Sequence, residues 1–108
     1  MRLGDQQVQE AFDVLHDPAH AKARAAHEYS QLRLKVVLAK AQLTANGKTV
    51  GEREATALAS DEYEAATRAA RLIAETYYAL KDRRDAASAT LDAWRTQQSD
   101  MRAMGKVG

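Results

Sequence analysis

The chain has no cysteine and only one proline, one phenylalanine and one tryptophan among its 108 residues. Without cysteine there is no disulfide, no thiolate metal site and no cysteine nucleophile. A reducing, cytoplasmic compartment is the matching expectation. A single proline lets helices run long without interruption. Few aromatic and β-branched side chains argue against sheets. The longest aliphatic run, Val36–Ala39, falls far short of the roughly 20 apolar residues of a membrane span. The opening stretch MRLGDQQVQE lacks the apolar segment of a secretory signal. A soluble protein is expected, with no membrane contact, no cofactor and no metal.

Alanine, the strongest helix former, occurs 23 times. The expected fold is all-α, a helical hairpin or coiled-coil-like assembly with a very long C-terminal helix. A chain of this length supports one modest core, so a single helical domain over 1–108 is expected.

Four helices are predicted. The first spans 4–16, with Val8, Ala11, Phe12 and Leu15 at helical spacing and Asp5 as N-cap. Pro18 ends it and suits the first turn of the next, with Asp17 as N-cap. The second helix spans 18–45. Ala25, Tyr29, Leu32, Val36, Ala39 and Leu43 form one apolar row, and Leu34, Val37, Leu38 and Ala41 lie on an adjoining face. So wide an apolar sector calls for several helical neighbours or another subunit. Asn46 and Gly47 are expected to end it in a left-handed conformation. Thr49 and Glu52 form a capping box for a short helix over 50–58, and Asp61 with Glu64 starts the last helix, over 61–104.

That last helix carries the strongest periodicity. Tyr63, Ala66, Ala70, Ile73, Tyr77, Leu80, Arg84, Ala87, Leu91, Trp94, Gln98 and Met101 alternate spacings of three and four without a break. This is a heptad seam, flanked by Ala65, Leu72, Ala79, Ala86 and Ala93 at seven-residue intervals. The helix is roughly 65 Å long at about 1.5 Å per residue. The second helix covers only part of it, so another element must pack on the remainder. Ile73, Tyr77, Leu80, Leu91 and Trp94 are the candidate oligomerisation residues. The closing GKVG is expected to fray.

The net charge of +1 hides alternating blocks: −3 over 1–18, +5 over 19–48, −4 over 49–64 and +3 over 65–108. Lys22, Arg24, Arg33, Lys35, Lys40 and Lys48 make the second helix and its end strongly basic. Either acidic neighbours neutralise this block, or it is a surface for a polyanion. Tyr29 is placed to stack on a base, but its heptad position assigns it to packing.

Tests for other chemistry fail. NGKT resembles the end of a P-loop, but the required glycine five residues before Gly47 is Gln42, and a helix rather than a strand precedes it. His16 and His20 are four apart, but Pro18 breaks their common face, so the histidines belong to surfaces or helix ends. Carboxylates fall in caps and exposed helix faces. Ser30, Ser60, Ser88 and Ser99 lack a base and an oxyanion site. No enzymatic activity is expected.

Four features, in order along the chain, carry a family resemblance: the start MRLGD, the basic segment LKVVLAKAQLTANGK, the long C-terminal helix and the ending QQSDMRAMGK. Together they resemble the small helical recombination mediators of bacteriophages, the UvsY type. That family's DNA-contacting segment reads Leu-Lys-Ala-Arg-Leu. Here Lys40 occupies its lysine and Gln42 stands where its arginine would be, with Lys35 and Lys48 as nearby cations. The resemblance implies a self-assembling protein of the bacterial host's cytoplasm. It binds single-stranded DNA and helps a recombinase displace a single-strand-binding protein. The alternative is a small phage-type protein-interaction module, an inhibitor of a host protein or an assembly adaptor, acting through its helical surface. Replacing Ile73 and Leu80 by Asp is expected to abolish folding or assembly, read by circular dichroism and sedimentation.

Overall fold

The structure is a computed structural model that describes residues 3–107, with the side chains at 106 and 107 outside the description. Met1 and Arg2, where the family resemblance begins, and Gly108 lie outside the described residues. Four helices follow in order: α1 (Asp5–His16), α2 (Ala19–Thr44), α3 (Val50–Leu58) and α4 (Asp61–Val107). Among the described residues there is no strand, so the chain is all-α. No helix is long and apolar enough to cross a membrane.

Local chemistry sets the ends of these helices. Gly4, not Asp5, is the N-cap of α1, and its N–H donates to the Gln7 side chain at 3.0 Å. Asp17 caps α2 as expected, accepting the Ala19 N–H at 2.9 Å. Thr49 accepts the Glu52 N–H at 3.1 Å, and the Glu52 carboxylate reaches back to the Lys48 N–H at 2.7 Å, one residue beyond the usual capping box. Ser60, not Asp61, caps α4: its hydroxyl accepts the Tyr63 N–H at 3.3 Å, leaving the Glu64 carboxylate to pair with Arg68. Gly105 does not stop α4, which continues to Val107, so the expected frayed tail is helical over its described part.

The turn after α2 corrects a second expectation. Among the described residues no backbone has positive φ, so Asn46 and Gly47 do not form a left-handed cap. Glycine at 47 gives space: a Cβ there would stand 3.0 Å from Glu52 Cβ and 3.1 Å from the Arg53 nitrogen, a tight fit that its neighbours would have to relieve by a few tenths of an ångström. α3 folds tightly against the turn, and Arg53 donates to the Gly47 carbonyl at 3.1 Å.

Contacts divide the chain into two compact units, residues 1–20 with 79–108, and residues 21–78. In the first, α1 lies antiparallel to the second part of α4. The Leu3 N–H donates to Gln97 at 3.0 Å, Val8 and Ala11 pack with Ala87 and Leu91, and His20 meets Arg84 at 3.4 Å. Leu3, Phe12, Val14, Leu15 and Trp94 close over this cluster. α1 is thus the element that covers the later seam of α4.

In the second unit, α2 runs antiparallel to the first part of α4, with α3 across one end. The buried points are small: Ser30, Ala57 and Ala70. Ser30 satisfies its hydroxyl on the His27 carbonyl at 2.7 Å. His27 stacks on Tyr77, with ring centres 4.9 Å apart and 12° between planes, and meets Tyr78 edge-on at 5.6 Å. It is therefore an inward-facing aromatic and not a surface histidine.

The face that α2 buries is not its first apolar row. Leu34, Val37, Leu38 and Ala41 turn inward with His27 and Ser30, while Ala25, Tyr29, Leu32, Val36, Ala39 and Leu43 are all exposed. Small side chains at Ser30 and Ala41 let α2 approach a seam that is itself rich in alanine. Both rows have helical spacing, so spacing alone could not choose between them.

Leu91 is 3 % exposed and Leu43 87 % exposed. Truncating a buried leucine leaves a cavity, so Leu91→Ala is expected to cost about 2–5 kcal/mol in urea unfolding. Leu43→Ala should change stability by no more than about 0.5 kcal/mol.

Candidate nucleic-acid interface

The six basic residues singled out from the sequence lie in the second unit, on α2 and the turn that follows it. All are exposed. Arg24 is held by Glu28 on its own helix at 3.1 Å. Among the described residues, Lys22, Arg33, Lys35, Lys40 and Lys48 make no side-chain ion pair. The other pairs, Arg68–Glu64, Arg71–Glu75, Lys81–Asp85 and Arg95–Asp92, each lie within α4 at i,i+3 or i,i+4. Among the described residues no carboxylate of another helix pairs with a cation of α2, although Glu62 lines the same cleft as Arg33 and Lys40.

The cations fall on different parts of α2. Lys22, Arg33 and Lys40 are spaced 11 and 7 residues apart, which returns each to the same side of a helix. Tyr29 sits between Lys22 and Arg33 on that side, 7 residues after one and 4 before the other. Arg24 and Lys35 lie on the opposite flank with Glu28. Lys48 is at the turn, its own N–H bound by the Glu52 carboxylate, so its positive field is partly offset locally.

Tyr29 is 66 % exposed. Its assignment to packing is therefore overturned, because the inward face of α2 is taken by smaller side chains and the ring is left in solvent. The result is a straight row, Lys22–Tyr29–Arg33–Lys40, with one aromatic face among three unpaired cations. Beside it lies the apolar stripe of Leu32, Val36 and Leu43, with Ala39, Leu43 and Val50 around a shallow depression.

Of the five heptad residues singled out for oligomerisation, Leu91 is buried and Ile73, Tyr77, Leu80 and Trp94 are half-buried. Leu91 and Trp94 pack with α1, Tyr77 stacks on His27, and Ile73 lies with Ala23 and Ala26 of α2. Large apolar side chains are exposed on the outer face of α2, at Tyr29, Leu32, Val36 and Leu43, which the 4-3-4-3-4 spacing marked, and on α4 at Leu72, Tyr78, Met101 and Met104.

The other histidines are at helix ends: His16 Nδ1 lies 2.8 Å from the Phe12 carbonyl, and His20 meets Arg84. Comparison of the chain with protein-family models, curated proteins and solved structures finds no match in any of the three.

Replacing Tyr29 by Ala is expected to shift stability by no more than about 0.5 kcal/mol, as for other surface positions. Tyr77→Ala, which removes the ring against His27, should cost about 2 kcal/mol or more. Urea unfolding of the two variants checks the assignment of inner and outer faces.

Proposed function

We propose that the chain is a non-enzymatic, self-associating helical accessory protein that binds single-stranded DNA along the outer face of α2. The observation that carries this reading is the exposed Tyr29 within a row of the unpaired cations Lys22, Arg33 and Lys40. A single strand offers phosphates and unstacked bases together. Cations neutralise the first without regard to sequence. An exposed ring stacks on the second, worth about 1–3 kcal/mol per base. A duplex hides its base faces and leaves the tyrosine unused.

The resemblance to phage recombination mediators extends this reading: the protein loads a recombinase on a strand held by a single-strand-binding protein, in the cytoplasm of a bacterial host. Self-association is supported by the apolar stripe Leu32–Val36–Leu43, which lies beside the cationic row. The same stripe supports the second reading, a protein-interaction module whose partner is another protein. Pull-down after nuclease treatment separates the two.

Fluorescence anisotropy with a labelled single strand tests the proposal. Affinity should fall with salt at a logarithmic slope of about −2 for three neutralised phosphates, at about −0.7 each. Tyr29→Ala should weaken binding roughly 5- to 100-fold through lost stacking, and Arg33→Glu with Lys40→Glu should weaken it further and flatten the slope. Absence of binding at low salt sinks the proposal.

A further inference from the structure

Arg33 and Lys40 belong to two features at once. They stand in the outer row, and they also line a cleft of about 470 Å³ between the later part of α2, the turn after it, α3 and the start of α4. That volume is within the range of small-molecule sites, about 300–1,000 Å³. Its apolar lining comes from Val37, Ala41, Ala45 and Ala57, short side chains that leave room for a planar ring.

The polar lining divides into committed and uncommitted groups. Thr44, Thr56 and Ser60 each donate their hydroxyl to a backbone carbonyl three or four residues earlier, at 3.3, 2.9 and 2.7 Å. Among the described residues, Arg33, Lys40, Asn46 and Glu62 have no side-chain hydrogen bond or ion pair. Two cations, one amide and one carboxylate therefore converge on an apolar slot with their bonding capacity unspent.

We propose that this cleft seats one base of the bound strand, its flanking phosphates held by Arg33 and Lys40, and that Glu62 makes guanine the preferred base. The inference rests on the single-strand reading above. A carboxylate only accepts hydrogen bonds. On the Watson–Crick edge guanine offers two adjacent donors, N1–H and the N2 amino group, which match the two carboxylate oxygens. Thymine offers one N–H between two carbonyls, and those carbonyls face the carboxylate unfavourably. The Asn46 amide can donate to guanine O6 or accept from an amino group.

The test uses the full chain and three probes: a short oligo-deoxythymidine, the same strand with one central guanine, and an abasic strand of equal length. Anisotropy gives affinities, and methyl NMR follows Ala41 and Ala45. The guanine strand should bind roughly 5- to 100-fold more tightly than oligo-deoxythymidine, as for one bidentate base contact. Glu62→Gln should bring that ratio close to one, an internal comparison insensitive to the lost charge. The two alanine methyls should shift with the guanine strand and stay in place with the abasic one. If strands bind but the guanine ratio is near one and the methyls do not move, the cleft proposal is overturned and the single-strand reading stands. If no strand binds, both fall.

Discussion

Burial of the α4 heptad seam is the interaction on which the remaining elements depend. The alternation of three and four residues keeps one face of a very long helix aligned, and every buried residue of α4 lies on it: Ala70, Ala87 and Leu91. In one unit α1 packs against Ala87 and Leu91, and in the other His27 of α2 stacks on Tyr77. The contact points are mostly small, and among the described residues no large side chain is completely buried. Stability in such a molecule comes from many modest contacts along helix lengths and little from a deep centre.

Small residues at the contacts have a second effect. Ser30 and Ala41 let α2 come close to α4, and with them His27, Leu34, Val37 and Leu38 turn inward. Tyr29, Leu32, Val36 and Leu43 are left outside. The large exposed apolar residues of α2 and its exposed cations are thus two results of one packing choice. Both lie on a surface whose charge is unpaired at Lys22, Arg33 and Lys40.

Much of the fold was legible in the sequence. Alanine content and the unbroken seam from Tyr63 onward give the all-α class and the long last helix. Asp17, Pro18 and Thr49 place the starts of α2 and α3. What could not be read was which of two helically spaced rows on α2 turns inward, because that depends on the size of the surface opposite. The turn at Gly47 was misread for a related reason: its glycine answers to the approach of Glu52 and Arg53 in space, which no local turn rule contains. Capping at Ser60 in place of Asp61 shows the usual one-residue uncertainty where two good caps adjoin. Of the candidate interface, the cations were visible as a charge block. The exposure of Tyr29 among them was not, and neither was the cleft, whose walls are brought together from 30 residues of chain between Arg33 and Glu62.

Five ion pairs form among the described residues. Each joins residues three or four apart on one helix, and none ties one helix to another. Folding and surface charge are therefore separate characters of this chain. Sequence drift can rewrite the charges on the outer face of α2, or reverse their sign, while the inner contacts stay as they are. One architecture could thus be retained through a change of partner, with only the alanine-and-serine spacing of the inner faces held constant.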